Sequence, residues 1–395
     1  MQFTLTALLA SAISCAFAAP TATEQGPITA RQAASSCATA VTLSGNPFAG
    51  RSVYANSFYS SEVLSAAASI TDSALKAKAT QVASVGTYLW IDTRAKIASV
   101  EDAIKNVGCS QIAALVIYNL PGRDCAAKAS NGELAVGQLD VYKTQYIDPI
   151  VAIFKKYPNV AISLVIEPDS LPNLVTNSDV AACQAAATGY RDGVAYALKS
   201  LNLPNVAMYL DAGHGGWLGW PNNLQPGAQV LADAYIAAGK PAALRGISTN
   251  VAGWNAWDLT PGEFSTGDGQ YNKAQNEKAY VELFAPYLSA AGMPSQAIVD
   301  TGRNGVQGLR NAWGDWCNVK GAGFGVRPTT STGSSLVDSF VWVKPGGESD
   351  GTSDASAVRY DSFCGLDDAF KPSPEAGQWN QEYFVQLLQN AKPSF

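Results

Sequence analysis

Seven short runs of apolar residues recur along the chain, and each ends abruptly in a polar turn. Residues 112–118 read IAALVIY before a turn that presents Asp124, and residues 161–166 read AISLVI before a turn that presents Asp169. The remaining runs lie at 87–93, 206–214, 245–254, 296–305 and 338–347. Apolar runs without alternating polar residues are typical of strands buried on both faces. The sequence therefore predicts a sheet that is covered on both sides.

Helical patterns fill the intervals between these runs. They cover residues 60–84, 95–106, 138–157, 178–200, 227–238, 272–291 and 378–390. Strand and helix in alternation predict a parallel sheet with crossover helices, that is, an α/β fold. We expect this sheet to close into a seven-stranded, TIM-like α/β barrel. Because the usual barrel of this kind has eight strands, a barrel of seven should be distorted. The alternative is a doubly wound open sheet, which is disfavoured because no GxGxxG motif follows a strand.

Polar residues stand where the predicted strands end. These positions carry Asp92, Asp124, Asp169, Asp211, Asn250, Asp300 and Lys344. In parallel α/β barrels the active site is built at the carboxyl ends of the strands. Two of the loops at this end, residues 121–137 and 343–377, are long, and long ordered loops are commonly lids or binding loops. We therefore expect a site at this end of the barrel, covered by two lids.

Charge and composition exclude several classes of function. The formal net charge is −6 and the chain has no Lys/Arg-rich run, so neither nucleic acid nor a membrane surface is an expected partner. After the N-terminal segment no apolar stretch is long enough to span a bilayer. His214 is the only histidine, and the chain has no CxxC pair and no GxSxG motif. We therefore expect no metal site, no cofactor and no serine-hydrolase triad.

Carboxylates surrounded by aromatic side chains are what remains for catalysis. Asp169 follows Pro168 at the end of a buried run, where burial and a second carboxylate would raise its pKa and keep it protonated. Asp124 is the candidate for that second carboxylate. Tryptophans in Gly-rich loops offer flat surfaces for sugar rings, so the combination predicts glycoside hydrolysis. For any one strand-end acid, the structural alternative is a helix N-cap or an ion pair.

The N-terminus predicts export. Residues 5–13 are apolar and are followed by Ala-Phe-Ala at 16–18, a pattern typical of a secretory signal peptide. We expect residues 1–18 to be that signal peptide, residues 19–36 a short disordered or processed segment, and residues 37–395 one catalytic domain of a secreted monomer. Six cysteines would then remain, which favours three disulfides in an oxidising compartment and leaves fifteen pairings open.

Several long blocks resemble the family 6 glycoside hydrolases, and within that family the fungal cellobiohydrolases. The blocks occur in the family's order and read YNLPGRDCAAKASNGE at 118–133, LVIEPDSL at 164–171, LNLPNVAMYLDAGHGGWLGWP at 201–221, WGDWCN at 313–318 and DSFVWVKPGGESDGTSD at 338–354. The resemblance covers nearly everything from residue 46 to residue 395. It implies a distorted seven-stranded barrel that hydrolyses β-1,4-glucan with inversion. The family's cellulose-binding module is not recognisable in this sequence.

The resemblance also implies catalytic roles. Asp169 matches the proton donor, and Asp124, after Arg123, matches the second acid that raises the donor's pKa. Tyr118 matches a residue that crowds the distorted sugar ring, and Ser130 matches a holder of the nucleophilic water. Asp350 matches a disputed candidate for the base. Two acids that relatives carry near Asp124 are absent here, because those positions are Asn119 and Gly122.

Sugar-contacting positions and disulfides follow from the same resemblance. The substrate-binding positions of the family are matched by Tyr54, Asp211, His214, Trp217, Trp220, Trp313, Trp316, Lys344 and Glu348. The bridges Cys125–Cys183 and Cys317–Cys364 match those of the family, which leaves Cys37 to pair with Cys109.

Both lid loops have their full length, which implies a tunnel that admits the end of a glucan chain. We therefore expect an exo-acting cellobiohydrolase that releases cellobiose from non-reducing ends of cellulose and cellooligosaccharides. The near alternative is an endo-β-1,4-glucanase of the same family. The alternative from another class is a noncatalytic carbohydrate-binding barrel, which would have no need of a buried acid pair.

Overall fold

One parallel sheet organises the computed structural model, which describes residues 37–395. The predicted signal peptide at 1–18 and the segment at 19–36 lie outside the described residues. The strands are β1 Ser52–Val53, β2 Leu89–Ile91, β3 Gln111–Ile117, β4 Ala161–Ile166, β5 Val206–Asp211, β6 Leu244–Thr249, β7 Gln296–Asp300 and β8 Val337–Val341. All seven predicted strands are confirmed, and β1 is an additional strand of two residues.

The sheet is an almost closed barrel. Its order is β1-β3-β4-β5-β6-β7-β8, and every pairing is parallel. Strand β2 pairs with the second half of β3, whereas β1 pairs with the beginning of β3, so the two share one edge. The backbone N–H of Tyr88, just before β2, donates to the carbonyl of Trp342, just after β8, at 2.9 Å. This contact brings the two edges together and confirms the distorted α/β barrel.

Helices cover the outside of the barrel. They are α1 Ser57–Ser69, α2 Ser73–Val82, α3 Ile97–Ile104, α4 Leu139–Tyr142, α5 Asp148–Lys156, α6 Asn173–Thr176, α7 Ala181–Ser200, α8 Pro221–Ala237, α9 Glu277–Ala290 and α10 Gln381–Gln389. The single helical segment predicted at 60–84 is wrong, because it is two helices. The first ends at Ser69, and Asp72 caps the second by accepting the N–H of Leu75 at 2.7 Å.

The continuous apolar runs are explained by two separate cores. On β4, Ile162, Leu164 and Ile166 pack in the cluster that joins the sheet to the helices. Ala161 and Val165 face the other way, into the cluster inside the barrel. Successive residues of a strand point to opposite faces, so a strand with an apolar core on each side has no polar face.

Three disulfides fasten the barrel and its loops. They join Cys37 to Cys109, Cys125 to Cys183 and Cys317 to Cys364, the pairs that the family resemblance implies. The last two hold the loops that follow β3 and β8. Within residues 37–395 no helix has both the length and the apolar character needed to cross a membrane.

Candidate active site

A cavity of about 540 Å³ opens at the carboxyl ends of the strands. It collects most of the residues predicted for the site: Tyr118, Arg123, Asp124, Ser130, Asp169, His214, Trp217, Trp313, Trp316, Lys344, Glu348 and Asp350. The wall also contains residues that sequence reasoning did not select, including Trp90, Asn255, Arg310, Arg359 and Phe363. The indole of Trp90 meets the ring of Tyr118 edge to face, with 5.0 Å between centroids.

Asp169 is held in a tight turn directly after β4. Its φ angle is 60°, a left-handed backbone conformation that is uncommon for a residue with a side chain. Its N–H donates to Oδ2 of Asp211 at 3.0 Å, and its carbonyl accepts from the side-chain amide of Asn173 in α6. These contacts fix the backbone, and the turn leaves the Asp169 carboxyl on the cavity wall.

The surroundings of Asp169 favour its protonated form. Burial raises the pKa of Asp169 well above its ordinary value, and the nearby carboxylates of Asp211 and Asp124 raise it further. Burial also raises the pKa of Asp211 to about 7. A carboxyl group that keeps its proton near neutral pH can serve as a general acid.

We expect Asp211→Asn to make the enzyme less tolerant of alkaline pH. The substitution removes a negative charge but keeps an oxygen that can accept the N–H of Asp169. The pKa of Asp169 should fall, and the protonated, active form should be lost at lower pH. The alkaline limb of the kcat profile should therefore move down by about one pH unit. Profiles of both proteins on cellotetraose measure this shift, and superimposable alkaline limbs would contradict it.

Asp124 occupies a similar turn after β3, with different partners. Its φ angle is 58°, and its buried carboxylate accepts the hydroxyl of Tyr118 at 2.8 Å. Burial raises the pKa of Asp124, while the Arg123 guanidinium and hydrogen bonds from Ser130 and Tyr118 act in the opposite direction. The pKa of Asp169 is raised well above its ordinary value by burial and by the carboxylates of Asp211 and Asp124, so Asp169 is the better candidate for the protonated member of the pair.

Glu167 is a positioning residue that sequence reasoning missed. Its carboxylate is buried at the end of β4 and accepts the N–H groups of Asn119 and Leu120 at 3.1 and 3.3 Å and the hydroxyl of Tyr142 at 2.8 Å. It therefore ties the start of the loop that carries Asp124 to the strand that carries Asp169. The available signal was an acid directly after a buried apolar run, the same pattern that selected Asp169.

Asp350 lies on the cavity wall, but both of its carboxylate oxygens already accept hydrogen bonds from protein groups. Both carboxylate oxygens accept from Nη1 of Arg303, at 2.9 and 2.8 Å, and Oδ2 also accepts the N–H of Asn318 at 2.8 Å. The Arg303 side chain is only 1% exposed, so this is a buried ion pair. Lys344 adds a second cation at 4.0 Å. The arrangement favours a charge-balancing role for Asp350 over the predicted role as a base.

Three predicted substrate-binding residues do not line the cavity. Asp211 lies behind Asp169 and supports its backbone. Trp220 directly precedes α8, is partly exposed and packs against Trp313, with 5.9 Å between ring centroids. Tyr54 is half-buried and packs against the core that lies between sheet and helices. The substrate-binding roles of Asp211, Tyr54 and Trp220 therefore stay predictions that rest on sequence similarity.

The two predicted lid loops meet each other across the site. Nη2 of Arg359 donates to the carbonyl of Ala129, and the N–H of Lys128 donates to Oδ2 of Asp361 at 3.0 Å. Both loops also contribute to the cavity wall, through residues such as Arg123 and Ser130 from one and Lys344 and Asp350 from the other. The loops are thus joined by hydrogen bonds as well as fastened by separate disulfides.

Comparison with known proteins places this chain in a family of glycoside hydrolases. The profile of the family described as Glycosyl hydrolases family 6 matches residues 48–391. A 1,4-beta-D-glucan cellobiohydrolase CEL6C of Podospora anserina is 61% identical, with all of both chains covered. A 1,4-beta-D-glucan cellobiohydrolase C of Emericella nidulans is 54% identical over 90% of this chain and 80% of its own length.

Solved structures give the same result. The catalytic core domain of the cellobiohydrolase Cel6A from Chaetomium thermophilum superposes with a TM-score of 0.85 at 51% identity, covering 89% of this chain and 100% of that one. Cellobiohydrolase II (Cel6A) from Humicola insolens, in complex with glucose and cellotetraose, also has a TM-score of 0.85, at 50% identity and with the same coverage.

Proposed function

The chain belongs to glycosyl hydrolase family 6, and we propose that it is a secreted, inverting cellobiohydrolase that releases cellobiose from the non-reducing ends of β-1,4-glucan chains. One observation carries the catalytic part of this proposal: Asp169, whose pKa is raised by its surroundings, and Asp124, hydrogen-bonded to Tyr118, share a cavity walled by tryptophans. The similarity to proteins named cellobiohydrolases supports the substrate. It also disfavours a noncatalytic sugar-binding barrel.

The residues divide the chemistry between them. Asp169 gives its proton to the glycosidic oxygen, while a water attacks the anomeric carbon from the opposite face. Trp217, Trp313 and Trp316 offer their faces to the sugar rings. The negative charge of Asp124 stabilises the positive charge that develops on the ring. Tyr118 donates its hydroxyl to that carboxylate, and the Arg123 guanidinium lies over its ring at 4.1 Å. The tyrosine held in this way leaves little room for an undistorted sugar ring.

We propose that the attacking water is held near Ser130. The Ser130 hydroxyl lies near enough to the Asp124 carboxylate to lower the pKa of Asp124, and a hydroxyl that donates to a carboxylate can accept from a water at the same time. A proton released by the water can therefore pass toward Asp124 without involving Asp350, whose oxygens are occupied by Arg303 and Asn318. In this scheme Lys344 and Glu348, 3.9 Å apart, contact the sugar hydroxyls.

Secretion and a monomeric state complete the proposal. Three disulfides suit an oxidising compartment. The cavity wall is assembled from loops of one chain, so the site needs no second copy to be complete.

Anomer analysis tests the proposal directly. We expect proton NMR of fresh cellohexaose digests to show α-cellobiose first, because a water attacks in a single displacement. β-Cellobiose as the first product would contradict inversion. A mixture dominated by cellotriose and longer products would favour the endoglucanase alternative.

Loosening the contact between the lid loops should turn exo action toward internal cutting. We expect Arg359→Ala combined with Asp361→Asn to remove both hydrogen bonds between the loops while keeping the cap that Asp361 forms on Phe363. On carboxymethylcellulose, the fall in viscosity per reducing end released should then rise several-fold. Arg327→Ala is the matched control, since Arg327 is an arginine outside the cavity wall that donates to the carbonyl of Ser394 at 2.8 Å.

The opposite result would identify an open site. If the unmodified enzyme already lowers the viscosity steeply at the start of the reaction, the loops do not close over the glucan. The endoglucanase alternative would then be preferred, even with the anomeric outcome unchanged.

A further inference from the structure

The single histidine of the chain has only one tautomer available to it. The N–H of Gly216 approaches Nδ1 of His214 at 3.1 Å, and Nδ2 of Asn255 lies 3.2 Å from the same nitrogen. A backbone amide can only donate, so Nδ1 of His214 must accept and carries no proton. The proton of the neutral ring is therefore on Nε2.

The orientation of the Asn255 amide is fixed as well. Nη2 of Arg310, which can only donate, contacts Oδ1 of Asn255 at 2.8 Å. On the other side, Nδ2 of Asn255 donates to Oε1 of the buried Glu277 at 2.7 Å. Arg310 is held in turn by an ion pair with Glu263 at 2.7 Å. Since a flipped amide would face a donor with its NH₂ and a carboxylate with its oxygen, Asn255 presents only a donor to His214.

Burial and a neighbouring charge also oppose protonation of the ring. Burial lowers the pKa of His214 to about 3, and the positive charge of Arg310 acts in the same direction. Three charged groups surround this network, Arg310 and Glu277 in contact with Asn255 and Glu263 behind Arg310. Burial and the charge of Arg310 therefore favour the neutral ring, in agreement with the two donors that face Nδ1.

We propose that His214 is a donor-only contact to the glucan through Nε2–H, and that Asn255 is the positioning residue that, together with the N–H of Gly216, fixes this tautomer. The inference rests on the proposed function, because it takes the cavity to hold a sugar. A sugar hydroxyl can either donate or accept. A fixed donor on the wall can bind a sugar hydroxyl only when that hydroxyl turns an oxygen lone pair toward it. The contact therefore helps to select the position of the glucan chain along the cavity and the stereochemistry of the bound sugar.

The ring nitrogens can be observed directly, because the chain contains one histidine. In a tag-free, ¹⁵N-histidine-labelled protein, we expect one unprotonated nitrogen, Nδ1, and one protonated nitrogen, Nε2, with no titration from pH 4 to pH 8. A protonated Nδ1, or a titration near the ordinary histidine value of about 6.5, would overturn the proposal. This measurement needs no substrate, so it can fail or succeed independently of the proposed function.

Asn255→Asp tests the positioning role. It replaces one of the two donors that face Nδ1 with a carboxylate, while the N–H of Gly216 remains. A negative charge beside the ring favours the imidazolium, so we expect the ring to titrate at a higher pH than in the unmodified protein. Asn304→Asp is the matched control, because Asn304 donates to the backbone carbonyl of Asn255 at 2.9 Å rather than to the imidazole. A ring signal in Asn255→Asp that is identical to the unmodified protein would remove Asn255 from this role.

Kinetics test the donor contact. We expect His214→Leu to raise KM for cellotetraose about tenfold, roughly the value of one hydrogen bond, and His214→Gln to recover part of the loss because it restores an N–H donor. The ratio of variant to unmodified KM should be the same at pH 4 and pH 7. A ratio that grows toward acid pH would mean a charged ring, and an unchanged KM would mean no contact; either result overturns the inference while hydrolysis itself persists.

Discussion

Replacing Asp169 with Asn should reduce hydrolysis of cellooligosaccharides by roughly 10²- to 10⁴-fold, the usual contribution of a general acid. The amide has nearly the same size and keeps the backbone turn, but it has no acidic proton to give to the leaving oxygen. The loss should appear in kcat more than in KM, because the proton is transferred in the transition state. Initial rates on cellotetraose measure it.

The choice of substrate separates this role from a structural one. A cellobiosyl substrate whose leaving group needs no protonation, such as a fluoride, should lose far less activity in Asp169→Asn than cellotetraose does. Asp140→Asn is a suitable control, because Asp140 is an exposed acid at the start of α4, outside the cavity wall. Equal losses on both substrates would show that the substitution damages the site in general and would argue against the acid role.

The barrel was predictable because its strands are buried on both faces. An unbroken apolar run such as 112–117 needs a core on each side, and the structure supplies two. Strand β1 could not be predicted in this way, since two residues carry no periodicity. The break at Asp72 had a local signal, a capping residue, but the apolar pattern on either side concealed it.

The acid pair was predictable for a related reason. Asp124 and Asp169 follow buried strands, and neighbouring parallel strands deliver their ends to the same edge. Contacts between distant loops were not predictable: Arg310 reaches Asn255 across 55 positions, and Arg303 reaches Asp350 across 47. Such contacts depend on the closed barrel, and no local pattern in the sequence records them.

Removing the charge of Asp350 should destabilise the fold, and this loss of stability would mask any effect on catalysis. Asp350→Asn keeps an oxygen for the N–H of Asn318 but leaves the buried guanidinium of Arg303 without a counter-ion. Breaking a buried ion pair from one side costs about 3–5 kcal/mol. Urea unfolding should therefore show a large fall in stability for this variant, and its activity should fall as the loop that carries Asp350 loosens.

A double substitution separates charge balance from base catalysis. In Arg303→Met/Asp350→Asn neither charge remains, and the methionine can still pack on Trp254, over which the guanidinium of Arg303 lies at 4.0 Å. If Asp350 only balances Arg303, the double variant should recover much of the stability and activity that Asp350→Asn loses. If Asp350 is the base, stability should return while kcat on cellotetraose stays low. We expect recovery of both, because both Asp350 oxygens already accept from Arg303, whereas Asp124 stays open to a water through Ser130.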